Sequence, residues 1–251
     1  MSFEKGYKKF KELYGLGEKN EIFNILSYER IHPTNDKRLK NIVDWYHQCV
    51  EQCSMSYTVI PLDECKMWSF DKSSGSIVHD SGEFFRIDGI RVHNSKEREV
   101  IGGWDQPILT QYGYDGGILG LIRKVLNGIP HYLVEAKSEP GNYNIVQITT
   151  TVQATFSNLK QAHKGSKTRF SEYFLEPEKF GCNVILKRWM SEDGGRLLNK
   201  RNLSMLVDIP HEVELNVPDT YKWVTLWELV QLTRHEDAII SPHIRGVISA
   251  L

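Results

Sequence analysis

Apolar residues recur at three- and four-residue spacing across residues 36–53, where Leu39, Ile42, Val43, Tyr46, Val50 and Cys53 form one stripe. That period predicts an amphipathic helix packed on a core, with Thr34, Asn35 or Asp36 as its N-cap. Residues 1–20 are rich in lysine and glutamate, with apolar points at Phe10, Leu13 and Tyr14. They predict a short helix or an arm available to a partner subunit. From Tyr57 the period shortens to strand-like pieces at 56–60, 68–70, 76–79, 84–87 and 90–93. The breaks are Lys72-Ser73-Ser74-Gly75, Ser81-Gly82 and Asp88-Gly89. Asp-Gly is a hairpin signal, because both central turn positions favour positive φ, and a β-meander is expected.

The apolar run 118–126 fits either a helix on a sheet or a buried strand, and Asn127-Gly128 ends it. Two further strands are expected at 183–190 and 201–209, joined by the polar turn 191–196. Thr225 and Glu228 form a capping box opening a helix over 226–235, and Ser241-Pro242 starts a last one. No internal repeat or linker divides the chain. The pattern is that of one α+β domain, with a helical N-terminal segment over 1–55 and the remainder over 56–251.

Composition narrows the classes. A net charge of -1 argues against nucleic acid and anionic membrane surfaces as partners. No apolar run approaches the ~20 residues of a membrane span, and the N-terminus lacks the apolar segment of a secretory signal. The four cysteines do not read as a disulfide framework. His47, Cys49 and Cys53 could form part of a zinc site, although buried thiols on a helix face explain them better. The reading is a cytoplasmic, reduced protein. The glycines at 113–117 match neither a dinucleotide fingerprint nor a Walker loop.

One stretch resists assignment to a core. Residues 133–164 begin as a strand and then turn polar, with Lys137, Glu139, a Pro140-Gly141-Asn142 turn, Gln147, Gln153, Thr155, Asn158 and His163. Buried without partners, such groups cost roughly 1–3 kcal/mol each. They belong to a solvated ribbon or converge on a polar ligand. Two more clusters, Trp104 with Gln106 and Gln111, and Glu192 with Arg196, Lys200, Arg201 and Asn202, add amide forks, cations and an aromatic face. Together they suit a nucleotide-linked sugar better than an apolar metabolite.

The same clusters carry a resemblance. WDQPI with a following Gln, GILG, AKSEPGN, TTTVQATFSN with a following His, SEDGGR and KRN occur in order. This series resembles the signature segments of the NDP-hexose 2,3-dehydratases, enzymes of deoxysugar biosynthesis, over roughly residues 68–251. The resemblance implies a Nudix-like mixed sheet flanked by helices, although the metal-binding Nudix box is missing. That departure argues against metal-assisted pyrophosphate cleavage. Familiar members carry the module twice and this chain carries it once, which implies a homodimer.

The implied substrate is a dTDP-linked 4-keto-6-deoxyhexose. Loss of the C3 proton and the C2 hydroxyl would give the 3,4-diketo-2,6-dideoxy sugar, with no redox cofactor and no metal. A downstream 3-ketoreductase is the implied partner for a labile product. The resemblance makes Glu139 or His163 the base or acid and Lys137 the stabiliser of the C4 enolate. Gln153 and Asn158 would hold sugar hydroxyls, and Lys200, Arg201 and Arg196 the diphosphate. Trp104 or Trp68 would stack on the base, with Gln106, Gln111, Glu192 and Asn202 completing the binding set.

Blander readings stand beside these. Lys137 and Glu139 could be a solvated ion pair, His163 a surface histidine and His79 a structural one. Lys200-Arg201 could be an edge-strand charge pair, the tryptophans core residues, and Glu192 and Arg196 shapers of their turn. A non-catalytic nucleotide-sugar binding module and a Nudix-type hydrolase are the competing functions.

Overall fold

A computed structural model describes residues 2–111, 116–159, 167–235 and 237–251. Three helices open the chain, α1 (Phe3–Tyr14), α2 (Glu21–Ile31) and α3 (Asp36–Gln52). The Asn35 side chain caps α3 by accepting the Arg38 amide at 2.9 Å. Ile42 and Tyr46 of the expected stripe are buried, and Leu39, Val43, Val50 and Cys53 pack against the same core. Cys49 and Cys53 pack there as free thiols. The sequence pattern did not reveal α2. Its apolar residues are spread around the axis, and the helix is fixed instead by burial of Leu26, Tyr28 and Glu29.

Residues 56–60, expected as a strand, are exposed and unpaired with any described strand, and the chain runs on into a 3-10 turn at Leu62–Glu64. A four-stranded antiparallel meander follows in the order β1 (Trp68–Asp71), β2 (Ser76–His79), β3 (Arg86–Arg91), β4 (Asp105–Thr110). Its tight turns use Gly75 and Gly82, both at positive φ. Asp88-Gly89 is not a turn. It lies within β3, opposite Ile108 and Pro107 of β4. The Asp88 carboxylate is engaged there by the Ser76 hydroxyl at 2.5 Å and Arg86 Nε at 3.0 Å, which fixes the residue in an extended strand.

The larger sheet contains β5 (Gly117–Leu126), β6 (Ile129–Ser138), β7 (Val146–Thr149), β8 (Val152–Thr155), β9 (Asn183–Ser191), β10 (Arg201–Asp208) and β11 (Tyr221–Val224). Its order is β11-β6-β5-β10-β9, with β5 and β10 parallel and the other pairs antiparallel. The run 118–126 is therefore the buried strand of the two readings. Residues 117–124 are buried, which removes the alternation of a half-exposed strand. Asn127 and Gly128 both adopt positive φ and close the β5–β6 hairpin.

This hairpin forks. The C-terminal half of β5 pairs with β6, while its N-terminal half pairs with β8, and the far half of β6 pairs with β7. Thr151 fills the crotch, accepting the Ile122 amide at 2.9 Å and donating to the Leu133 carbonyl at 2.5 Å. Two apolar clusters cover the sheet. One, with Tyr132, Ile148 and Leu206, packs under α2, α3, α6 (Leu226–Leu232) and α7 (Pro242–Ser249). The other, with Ile122, Leu133, Met205 and Val207, packs against Phe170 and Phe174 around the short α5 (Glu172–Leu175).

Two buried polar knots tie the helices to the sheet. Glu228 of α6 completes the expected capping box with Thr225 and also accepts Thr34 Oγ1 at 2.7 Å and Arg38 Nε at 2.6 Å. Arg123 of β5 meets Glu29 of α2 at 2.6 Å and Asp208 of β10 at 2.9 Å, while the Tyr132 hydroxyl donates to Glu29. Among the described residues, no helix is long and apolar enough to cross a membrane.

Candidate active site

A cleft of about 450 Å³ opens beside the fork, at the N-terminal end of β5. Lys137 enters from the end of β6, and Glu139 from the turn after it. Gln153 and Thr155 line it from β8, and Asn158 from the short α4 (Phe156–Leu159). Glu192 follows β9, Lys200 precedes β10, and Asn202 lies on β10. His243 projects from the first turn of α7, and Phe85 and Leu197 supply apolar wall. Strands distant in sequence thus bring the polar ends of several motifs to one place.

Local hydrogen bonds explain how the side chains are held. Lys137 Nζ donates to the Gln153 carbonyl at 3.0 Å and lies 3.7 Å from Glu139 Oε1. Asn142 Nδ2 donates to the carbonyls of Lys137 and Ile145, each at 3.1 Å, and so staples the Pro140-Gly141 turn that carries Glu139. A relay runs from Ser241 Oγ to Thr149 Oγ1 at 3.0 Å and from Thr149 to Gln153 Oε1 at 2.7 Å. Ser241 also caps α7, which ties the position of His243 to that of Gln153. Asn202 Nδ2 donates to Glu192 Oε1, and His243 Nε2 lies 3.9 Å from the same oxygen. Lys200 Nζ donates to Gln111 Oε1 and sits 5.1 Å from the Phe85 ring centre.

Burial pushes the His243 imidazole below the ordinary histidine range. Glu192 and Glu139 pull it back up, and Lys137 and Lys200 push it further down. Burial also raises the Glu135 carboxyl, two residues before Lys137 on β6.

Of the residues singled out in the sequence, Lys137, Glu139, Gln153, Asn158, Glu192, Lys200 and Asn202 line this cleft. Gln111 reaches it through Lys200. The others do not line it. Trp68 packs edge-on against His79 and at a tilt against Phe84 within the meander, with ring centres 5.3 and 6.3 Å away. Trp104 Nε1 donates to Gln106 Oε1 at 2.6 Å, and Gln106 Nε2 donates to the Gly195 carbonyl at 3.0 Å, so this pair fastens the 191–196 turn. Arg196 is mostly exposed and lies 3.7 Å from Asp193. Arg201 alternates to the side of β10 opposite Asn202 and lies over Trp189 at 4.5 Å. His163 lies outside the described residues.

Thr155, one of the polar residues marked in the 133–164 stretch, lines the cleft as well, whereas sequence reasoning passed over His243, Phe85 and Leu197. A signal existed for His243, because Ser241-Pro242 marked a helix start and placed the histidine in its first turn.

Fold and cleft define an α+β protein with a solvent-open cleft lined by carboxylates, lysines, amides and a histidine. Residues 39–251 match the family profile described as NDP-hexose 2,3-dehydratase, and the chain belongs to that family. Three curated relatives are named dTDP-4-dehydro-6-deoxy-alpha-D-glucopyranose 2,3-dehydratase. That of Saccharopolyspora spinosa is 36% identical over 207 residues, covering 82% of this chain and 41% of the relative. That of Amycolatopsis orientalis is 37% identical over 195 residues, covering 76% and 40%. That of Streptomyces violaceoruber is 36% identical over 194 residues, covering 77% and 42%. The chain therefore spans about two fifths of the length of the relatives it matches.

Proposed function

We propose that this chain is a nucleotide-sugar 2,3-dehydratase acting on dTDP-4-keto-6-deoxyglucose in deoxysugar biosynthesis. The observation that carries the reading is the convergence of Lys137, Glu139, Gln153, Asn158, Glu192, Lys200 and Asn202 on one cleft in a member of this family. The C3 proton of such a substrate lies α to the C4 ketone, so a base can remove it and leave an enolate. Lys137 Nζ, fixed by the Gln153 carbonyl, is the proposed partner of the C4 oxygen. Glu139 is proposed for proton transfer at the reacting carbons, as is His163. Gln153 and Asn158 would hold sugar hydroxyls, and Lys200 the diphosphate. Hydroxide loss from C2 and tautomerisation would then give the 3,4-diketo-2,6-dideoxy sugar. Oxidation at C3 is balanced by reduction at C2, so the chemistry calls for no redox cofactor.

The helical segment 1–55 and the body 56–251 are proposed to work as one α+β unit in a Nudix-like arrangement. The relatives are about twice as long as this chain. A cytoplasmic location and a homodimer are further parts of the proposal. A 3-ketoreductase is the proposed downstream partner.

The test is incubation with dTDP-4-keto-6-deoxyglucose in deuterated water, without added metal, with a 3-ketoreductase and reduced nicotinamide as trap. A 2,6-dideoxy product carrying deuterium at C2 is the expected result. Unchanged substrate with tight dTDP binding would make the chain a binding module instead.

A further inference from the structure

The elimination needs a base for the C3 proton and a donor for the departing C2 hydroxyl, and assigning either role rests on the dehydratase reading. Among the described residues lining the cleft, His243 is the one imidazole. Its placement is built from several directions. The Ser241 cap and Pro242 fix the start of α7, so the ring sits on an ordered first turn. Its side chain is 31% exposed, packed on one side and open to the cleft on the other. Nε2 faces Glu192 Oε1 at 3.9 Å. Glu192 is held in turn by Asn202 Nδ2 and by its own amide, which donates to the Lys200 carbonyl at 3.0 Å. Among the described residues, neither His243 ring nitrogen makes a hydrogen bond, and Nε2 has the Glu192 carboxylate as its charged neighbour.

We propose that His243 is the proton carrier of the elimination, with Glu192 and Asn202 as its positioning residues. The neutral imidazole takes the C3 proton, and the electron pair left behind moves onto the C4 oxygen beside Lys137. As the C4 carbonyl re-forms, that pair becomes the C2–C3 double bond and the C2–O bond breaks. The imidazolium gives its proton to the departing oxygen, which leaves as water, and His243 returns to its neutral form. Between the two transfers the Glu192 carboxylate stabilises the imidazolium. Glu139 is left for the last step, in which C2 gains a proton and the C3 hydroxyl loses one.

Burial keeps the ring neutral before the first transfer. The charged groups around it are Glu192, Glu139, Lys137 and Lys200, which oppose one another in pairs.

The test compares the wild-type chain with His243→Asn, His243→Gln and Glu192→Gln, using substrate deuterated at C3 and the ketoreductase trap. Both histidine variants should lose release of the C3 label and product formation together, by roughly 10²-fold or more. Their dTDP affinity should stay within about threefold of wild type. Glu192→Gln should retain more activity, with the acid limb of kcat/KM moved. A histidine variant with near-wild-type turnover overturns the proposal. So does one that still releases the C3 label while making no product. If the wild-type chain binds dTDP but makes no product, the dehydratase reading falls and takes this proposal with it. Should both histidine variants unfold, carbethoxylation of the wild-type chain, mapped by peptide mass spectrometry, decides the matter. Turnover lost in step with His243 modification, and protected by dTDP, supports it, and turnover surviving complete modification overturns it.

Discussion

Arg123 and Lys137 are cations on the paired strands β5 and β6, yet their surroundings differ in kind. Arg123 is 6% exposed and sits between Glu29, which is 2% exposed, and Asp208, with the Tyr132 hydroxyl completing the Glu29 side. The donors and acceptors of that knot are closed on one another. Lys137 is 24% exposed, and its carboxylate partner Glu139, at 3.7 Å and 42% exposed, is too far for a short hydrogen bond. The first arrangement has already replaced the water that its charges lost, and it holds α2 to the sheet. The second leaves donor and acceptor capacity facing an open cleft. A charge cluster that leaves hydrogen-bonding capacity open is where a ligand can be held, and a closed one is where the fold is held.

That difference can be broken from either side. Arg123→Met would strand the Glu29 carboxylate in the interior and is expected to destabilise the chain by about 3–5 kcal/mol. Urea denaturation checks it, and a loss under about 1 kcal/mol would remove the distinction between the clusters. Glu139→Gln is expected to behave in the opposite way. Turnover should fall by roughly 10²-fold or more, while stability stays within about 0.5 kcal/mol because the pair is half open to water. Kinetics and a melt on the same sample read both quantities.

Ser241→Ala should sharpen the comparison, since Ser241 belongs to both worlds. It caps α7 and feeds the Thr149–Gln153 relay. Loss of the cap should cost about 1 kcal/mol of stability and also raise KM, as seen by calorimetric unfolding and steady-state rates. The smallest effect belongs to Asp71, the last residue of β1. Hydrogen bonds from Ser74 and Ser73 hold its carboxyl down at about 2. A depressed folded-state value stabilises the fold above the ordinary aspartate range, and that contribution fades as pH falls through about 2. Carbon-13 NMR titration should find this value, and Ser74→Ala should move it upward toward the ordinary range.

Much of this layout was legible in the sequence, and the misses have local causes. The helices α3, α6 and α7 announce themselves through Asn35, the Thr225–Glu228 box and Ser241-Pro242, because caps act over three or four residues. Asn127-Gly128 marked its hairpin for the same reason. Asp88-Gly89 carried a similar local signal and was overruled by partners from elsewhere, Ser76 from β2 and the facing strand β4. The helix α2 lacks a stripe, and the buried Arg123–Glu29 contact that fixes it spans 94 positions of the chain. At the cleft, residue types in the motifs marked Lys137, Glu139, Gln153 and Asn202 correctly as neighbours in space. Arg201 was grouped with Asn202 although strand alternation sends adjacent side chains to opposite faces. His243 escaped because its helix reads, by pattern, as a packing element alone. Its role depends on Glu192, which no spacing rule connects to it.

The open cluster at the fork, and not the aromatic meander of residues 68–110, is the proposed seat of the nucleotide sugar. A crystal of this chain soaked with dTDP tests it most directly. The expected result is dTDP seated between β8, the start of β10 and the first turn of α7, with its diphosphate at Lys200 and its open end toward Lys137 and His243. Nucleotide bound against Trp68 and Phe84, with the cleft still filled by solvent, would contradict it.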